Sequence, residues 1–233
     1  LIDKNIKTKD ILTSKAFENA MIVHAACGGS TNLILHLPAV AHAIKENIMK
    51  VEDWIRINKL TPRLVDVLPN GPKGFPTSVF FSSGGVPEVM LKLRNEGLLN
   101  LDVITSTGLT LNENLDWWEQ SEKRDFVRRQ LRNTRNIDPE DVVHSLKNSK
   151  KKNMTSTVTF PKGNISPEGS VVKSTAIDKT VIDEDGVYRK IGPARIFISE
   201  ADAIKAVKDK GANGVKAGDI MVIACGGPKG TGM

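Results

Sequence analysis

Two apolar runs of helical period, separated by a pair of glycines, constrain this chain more than any other feature. Over residues 14–26 the positions of Phe17, Ala20, Met21, Val23 and Ala25 predict a largely buried helix rather than an alternating strand. That helix leads into Cys27-Gly28-Gly29-Ser30-Thr31-Asn32 and then into Leu33-Ile34-Leu35-His36-Leu37-Pro38-Ala39-Val40-Ala41-His42-Ala43-Ile44, which reads as a second buried helix. Paired glycines allow a turn that a Cβ would obstruct, and Ser30, Thr31 and Asn32 are all helix-capping residue types. A helix opening after such a turn aims free N–H groups and its positive dipole end outward, so Gly28 to Asn32 form a candidate cradle for a carboxylate or phosphate; plain capping explains the same residues. Pro38 predicts a bend or break, because its ring meets the carbonyl of Ile34. His36 and His42 fall on different faces and read as packing or capping residues rather than a metal pair.

A second unit of this kind follows. Val79-Phe80-Phe81 precedes Ser82-Ser83-Gly84-Gly85, and the apolar positions of Val86 through Leu93 continue as a helix, with Pro87 suited to its first turn and Gly97 to its C-terminal cap. Two glycine turns of this kind, at Gly28-Gly29 and Gly84-Gly85, predict a shared polar cleft. Between them lie an amphipathic helix over residues 51–60, a candidate strand Leu64-Val65-Asp66-Val67-Leu68, and a shaped surface loop over 69–77 rich in proline and glycine. Beyond them come a short strand and turn from Asp102 to Gly108 and a helix over 111–118 that packs Leu115 and one of Trp117 or Trp118 inward. Asp138-Pro139-Glu140-Asp141 then opens a short helix ending near Leu146.

The polar, lysine-rich run 147–153 reads as an interdomain linker, after which the periodicity changes. Short β-type runs at Thr157-Val158-Thr159-Phe160, Ser170-Val171-Val172-Lys173, Val187-Tyr188, Arg195-Ile196-Phe197-Ile198 and Asp219 to Ala224 are separated by turn residues. One helix, capped at Ser199 and closed by Gly211, lies between the last two. The expected organisation is α/β: residues 1–148 as part of an α/β domain, 149–156 as linker, and 157–233 as the start of a β-rich domain.

With 233 residues, 39% of them hydrophobic, the chain can bury one large core or two modest ones, and at 5% aromatic content aliphatic packing must dominate. The net charge of +6 is concentrated at Lys123, Arg124, Arg128, Arg129, Arg132, Arg135 and the run 147–152. Without interleaved aromatics or a nucleic-acid-binding signature, this reads as a solvated basic face plus linker, and no nucleic-acid partner is expected. No apolar run is long enough to cross a bilayer and no charged-then-apolar leader opens the chain, so a cytoplasmic protein without a membrane partner is expected. Cys27 and Cys225 have no metal-ligand spacing and read as buried thiols. The chain opens at Leu1 and stops within a glycine-rich run, as expected of a piece of a longer protein.

Five motifs in order resemble the dihydroxy-acid, phosphogluconate and sugar-acid dehydratase family: residues 19–37 around Cys27-Gly28-Gly29-Ser30-Thr31-Asn32, Gly84-Gly85-Val86-Pro87-Glu88-Val89-Met90, residues 163–173, Gly192-Pro193-Ala194-Arg195-Ile196-Phe197, and residues 218–233. Residues 63–72 and Leu115-Asp116-Trp117-Trp118-Glu119 are most similar to the pentonate (D-xylonate) branch. The resemblance implies an α/β/α domain followed by a swivelling, β-barrel-like domain, and dehydration of a 2,3-dihydroxy acid to a 2-keto acid. It further implies an iron–sulfur (Fe–S) cluster, a magnesium ion (Mg2+) and a serine base, all from segments before Leu1 or after Met233. Neither Cys27 nor Cys225 matches a cluster-ligand position, so no catalytic or metal-binding residue is expected within this chain, which alone is expected to be inactive. The remaining candidates are substrate-binding walls: Gly28, Gly29, Ser30, Thr31, Asn32, Gly84, Gly85, and the loop containing Gly227, Lys229 and Gly230. A homo-oligomer is implied for the full-length protein. Branched-chain dihydroxy acids, 6-phosphogluconate, and a non-catalytic anion-binding module remain as alternatives.

Overall fold

The computed structural model describes residues 1–47 and 49–227, and its contacts divide the chain into two compact units, Leu1–Ala176 and a second beginning at Ile177. The first is built mainly of helices: α1 (Thr8–Ile11), α2 (Ser14–Cys27), α3 (Leu33–Ala43), α4 (Val51–Leu60), α5 (Thr77–Ser82), α6 (Gly85–Asn95), α7 (Leu111–Glu119), α8 (Glu122–Arg135), α9 (Pro139–Val142) and α10 (Leu146–Lys151). An antiparallel pair, β1 (Val158–Thr159) and β2 (Val172–Lys173), belongs to the same unit.

The core is aliphatic, as the composition requires. Met21, Ala25 and Ala26 of α2 pack with Trp54 and Ile57 of α4, Val89 and Leu93 of α6, and Leu111 and Leu115 of α7. Each fully buried Leu, Ile, Val or Met contributes roughly 1.5–3 kcal/mol. Through the middle runs an extended segment, Leu64-Val65-Asp66, that makes single bridges rather than a named strand. The Leu64 N–H donates to the Ala26 carbonyl at 2.7 Å, the Asp66 N–H to Val142 at 2.9 Å, and the His144 N–H to Leu64 at 2.8 Å. The apolar run that predicts a strand is therefore buried as expected, but its backbone is satisfied by helix ends and by the stretch around Val143.

Helix ends follow the sequence chemistry. Thr13 accepts from the Ala16 N–H, Thr110 from Glu113, and Asp138 from Glu140 with Pro139 in the first turn. Leu115 and Trp118 point inward on α7 while Trp117 is exposed. Helix α3 differs from expectation in two respects. It runs unbroken through Pro38, and only Ala41 is buried, with Leu35 and Val40 left exposed. Its apolar composition predicts burial, but among the described residues too few neighbours cover it.

The expected linker over 149–156 is packed structure. Lysines of α10 face out while Ser149 is buried and donates through Oγ to the Arg63 carbonyl; Met154 is buried and accepts from the Arg63 N–H at 3.2 Å; Ser156 donates to Asn58. A lysine-rich run satisfies an amphipathic helix as readily as a linker, and here the short inward-facing serine decides.

In the second unit, β3 (Ala194–Phe197) and β4 (Ile220–Ile223) pair in parallel, with Ala194 opposite Ile220 and Phe197 opposite Ile223. The chain crosses between them through α11 (Glu200–Lys208), whose cap is Ser199 accepting from the Asp202 N–H at 3.1 Å. The described residues thus form a mixed α/β chain with two small sheets, and no barrel closes among them. Among the described residues, no helix is long and apolar enough to cross a membrane.

Candidate functional site

The first glycine turn ends one helix rather than opening the next. Gly28 caps α2 in the left-handed region (φ +65°), its N–H donating to the Ala25 carbonyl at 3.2 Å, while the Gly29 N–H donates to His24 at 2.9 Å. The N–H groups of Gly28 and Gly29 are spent on the carbonyls of α2. Ser30, Thr31 and Asn32 form the turn into α3, with Ser30 Oγ accepting from the Asn32 N–H at 3.3 Å and no side-chain cap from Asn32.

Two buried basic side chains flank the turn. On the Gly29 side, His24 Nε2 lies 2.8 Å from the Ser30 carbonyl, which can only accept, so Nε2 carries the proton. Its ring meets Trp54 edge-on at 5.5 Å and its Nδ1 is buried without a partner. Burial holds the imidazole below its usual range, against the opposing pull of the Ser30 carbonyl, and it is neutral at pH 7. A Cβ at Gly29 would come within 2.3 Å of this ring. On the Gly28 side stand Arg63, Thr157 and Asn70: a Cβ at Gly28 would lie 3.0 Å from Arg63 Cδ and 2.9 Å from Thr157 Cγ2. Asn70 Nδ2 donates to the Gly28 carbonyl and its Oδ1 accepts from Thr175, both at 2.9 Å.

The loop over 69–77 is shaped by one carboxylate. Asp66, fully buried, accepts the Lys73 N–H at 3.1 Å and the Gly74 N–H at 2.9 Å, and Gly71 sits so close that a Cβ would reach 1.9 Å from its Oδ1. Sequence reading passed over Arg63, Asp66 and His24. The available signal was a charge on either side of Leu64-Val65, inside an otherwise apolar run.

The second glycine turn is filled from within. Gly84 (φ +114°) caps α6, and a Cβ there would meet Glu88 Cβ at 2.8 Å. The Glu88 carboxylate is buried and accepts from Arg124 Nε at 2.8 Å and Nη2 at 3.1 Å, with Arg128 Nη1 3.1 Å away. Arg128 also donates to the Ser83 carbonyl at 2.7 Å and to Glu140 at 2.6 Å. The expected solvated basic face is thus partly an internal counter-charge: the hydrogen bond that Arg124 donates to Glu88 holds its guanidinium above the usual range.

Helices α2, α3 and α6 do share a groove of about 530 Å³, whose mainly apolar walls include Val23, Cys27, Leu33, Val86 and Met90 beside the polar Asn19 and His24. None of residues 28–32, 84 or 85 lines this groove. Gly227 follows β4 in the second unit; Lys229 and Gly230 lie outside the described residues. Burial pushes the Cys27 thiol up to about 12, and among the described residues no three His, Cys, Asp or Glu side chains gather as a metal set. The described residues therefore do not fit an iron–sulfur cluster or a magnesium ion.

Comparison with known proteins agrees over the whole length. The dihydroxy-acid/6-phosphogluconate dehydratase N-terminal model matches residues 1–114 and the C-terminal model residues 141–233. The chain is 56% identical over 233 residues to the D-xylonate dehydratase YagF and 57% identical over 234 to the D-xylonate dehydratase YjhG, both of Escherichia coli K12. These alignments cover 100% of this chain and 35% of each relative. It is 37% identical over 230 residues to a dihydroxy-acid dehydratase of Picrophilus torridus, covering 99% of this chain and 36% of that protein. The chain thus spans about a third of the length of the curated relatives it matches. Matched in order by both halves of one family's description, the chain belongs to the dihydroxy-acid/6-phosphogluconate dehydratase family.

Proposed function

We propose that this chain is part of a hydro-lyase that dehydrates a sugar acid, a pentonate such as D-xylonate, to the 2-keto-3-deoxy acid. The observation that carries this reading is the 56–57% identity to two D-xylonate dehydratases, against 36–39% to the dihydroxy-acid dehydratases. In the reaction a proton leaves C2 and hydroxide leaves C3, giving an enol that tautomerises to the ketone; both departures need charge stabilised in the transition state. The iron–sulfur cluster and magnesium ion that the resemblance implies are, in this reading, held by sequence outside residues 1–233. Within the chain, residues 28–32, Gly84 and Gly85, and the loop with Gly227, Lys229 and Gly230 contribute walls of the substrate pocket. Residues 157–233 begin the barrel-like swivelling domain, and the full-length protein works as a cytoplasmic homo-oligomer.

The test is to express the complete coding sequence and follow 2-keto acid release from D-xylonate, 6-phosphogluconate and a branched-chain 2,3-dihydroxy acid. The highest kcat/KM is expected on the pentonate, and residues 1–233 alone are expected to give no turnover. Preference for the branched-chain acid, or no release from any of the three, overturns the assignment.

A further inference from the structure

Arginine is the one basic side chain that cannot escape burial by losing its proton, so a buried guanidinium needs a counter-charge. This unit supplies one elsewhere: Arg124 and Arg128 share Glu88, and Arg128 also holds Glu140. Arg63 has a counter-charge nearby in the buried Asp66 but lacks the hydrogen bonds that the other two make. It is 6% exposed, and its Nε and Nη1 are buried with no hydrogen-bond partner. Its position is not accidental, since its N–H donates to Met154, its carbonyl accepts from Ser149, and its stem packs in the space left by the missing side chain of Gly28. The nearby carboxylate, Asp66, attracts the guanidinium, but its oxygens accept from the N–H groups of Lys73 and Gly74 and from neither Nε nor Nη1 of Arg63.

We infer that Arg63 is the receptor for a carboxylate that docks beside the Cys27-Gly28 turn. The fork of a guanidinium matches a carboxylate edge-on, and Asn70, held on Gly28 and Thr175, borders the same glycine as the Arg63 stem. Because Nε and Nη1 are sealed from water as they stand, the carboxylate enters by shifting the neighbouring loop side chains rather than by filling an open hole. It has two sources: the carboxylate of a sugar acid, which rests on the pentonate reading above, or an Asp or Glu from polypeptide outside these residues, which does not.

The experiment compares wild type, Arg63→Lys and Arg63→Met in the full-length protein by calorimetric titration with D-xylonate and by thermal unfolding, neither of which needs turnover. If the sugar acid is the partner, Arg63→Met weakens D-xylonate binding roughly ten- to a hundredfold, Arg63→Lys recovers part of it, and Tm without ligand is unchanged or higher. If a protein carboxylate is the partner, D-xylonate binding stays within about twofold while Tm falls by about 5 °C or more, with Lys again intermediate, and the fall persists on an Asp66→Asn background, where loss of the Asp66 attraction cannot produce it. Arg63→Met with unchanged binding and an unchanged or higher Tm overturns the inference, because the charge then had no partner to lose. If wild type binds no D-xylonate, the pentonate reading fails by itself, and the Tm series still decides the protein-carboxylate arm.

Discussion

Glu88 is the residue whose loss the first unit should feel most. Glu88→Gln keeps the volume and removes the charge shared by Arg124 and Arg128. Arg128 retains Glu140 at 2.6 Å and the Ser83 carbonyl at 2.7 Å, so the damage falls on Arg124, whose other carboxylate, Asp125, is 3.8 Å away and 73% exposed. Removing one partner of a buried ion pair costs about 3–5 kcal/mol, of which the amide oxygen, still able to accept from Arg124, returns ~1 kcal/mol. The expected net loss is about 2–4 kcal/mol. In urea unfolding with a slope of ~2 kcal/mol/M, the midpoint falls by about 1–2 M at constant slope. The cycle with Arg124→Gln sharpens the test: the double variant should be less destabilised than the sum of the singles by at least about 1.5 kcal/mol, since removing both charges leaves nothing stranded. A Glu88→Gln midpoint within about 0.2 M of wild type, or strict additivity in the cycle, refutes the claim that Glu88 is the internal counter-charge of Arg124.

Other perturbations separate the roles of the remaining residues. Gly28→Ala forces a Cβ into left-handed backbone and to 2.9 Å from Thr157 Cγ2, so a loss of about 1–3 kcal/mol is expected by urea unfolding; a neutral result would mean the turn relaxes freely. His24 and His144 are both held below the ordinary imidazole range, chiefly by burial, with Lys152 adding to the effect at His144. As pH falls through the unfolded-state value of about 6.5, the unfolded chain takes up protons that the folded one refuses, so Tm should fall from pH 7.5 to 5.5. His24→Gln and His144→Gln should each flatten that fall, and an unchanged slope in both would contradict it. Cys225 is exposed whereas the Cys27 thiol titrates at about 12, so an aromatic disulfide reagent at pH 8 should modify one thiol quickly and the second only on unfolding.

Helices α2, α4, α7 and α11 were legible in the sequence because apolar period, cap and terminator all lie within one segment. The features that escaped depend on partners far along the chain. Ser-Thr-Asn after two glycines looks the same whether the glycines close the helix before them or open the one after. What decides is that Gly28 and Gly29 return their N–H groups to Ala25 and His24. Arg124 and Arg128 look like solvent-facing charge until Glu88, 36 positions before Arg124, is folded beneath them. Burial of α3 was likewise inferred from its own composition, although burial belongs to whatever lies on top of it.

The same logic turns one misread feature into a usable signal. A charged residue within a run that must be buried is either matched by an opposite charge from elsewhere in the fold or waiting for one, and sequence alone does not say which. Asp66 and Arg63 bracket the same two apolar residues and attract each other, but differ in their hydrogen bonds. Asp66 draws the N–H groups of Lys73 and Gly74 around itself and in doing so shapes the loop over 69–77. Arg63, pinned through its own backbone to Ser149 and Met154, leaves two guanidinium nitrogens unanswered beside the glycine turn. A fold that neutralises Arg124 and Arg128 with buried or half-buried carboxylates has the means to neutralise a third arginine. For Arg63 it supplies the charge of nearby Asp66 but no acceptor for Nε or Nη1, and the proposed carboxylate would be that acceptor.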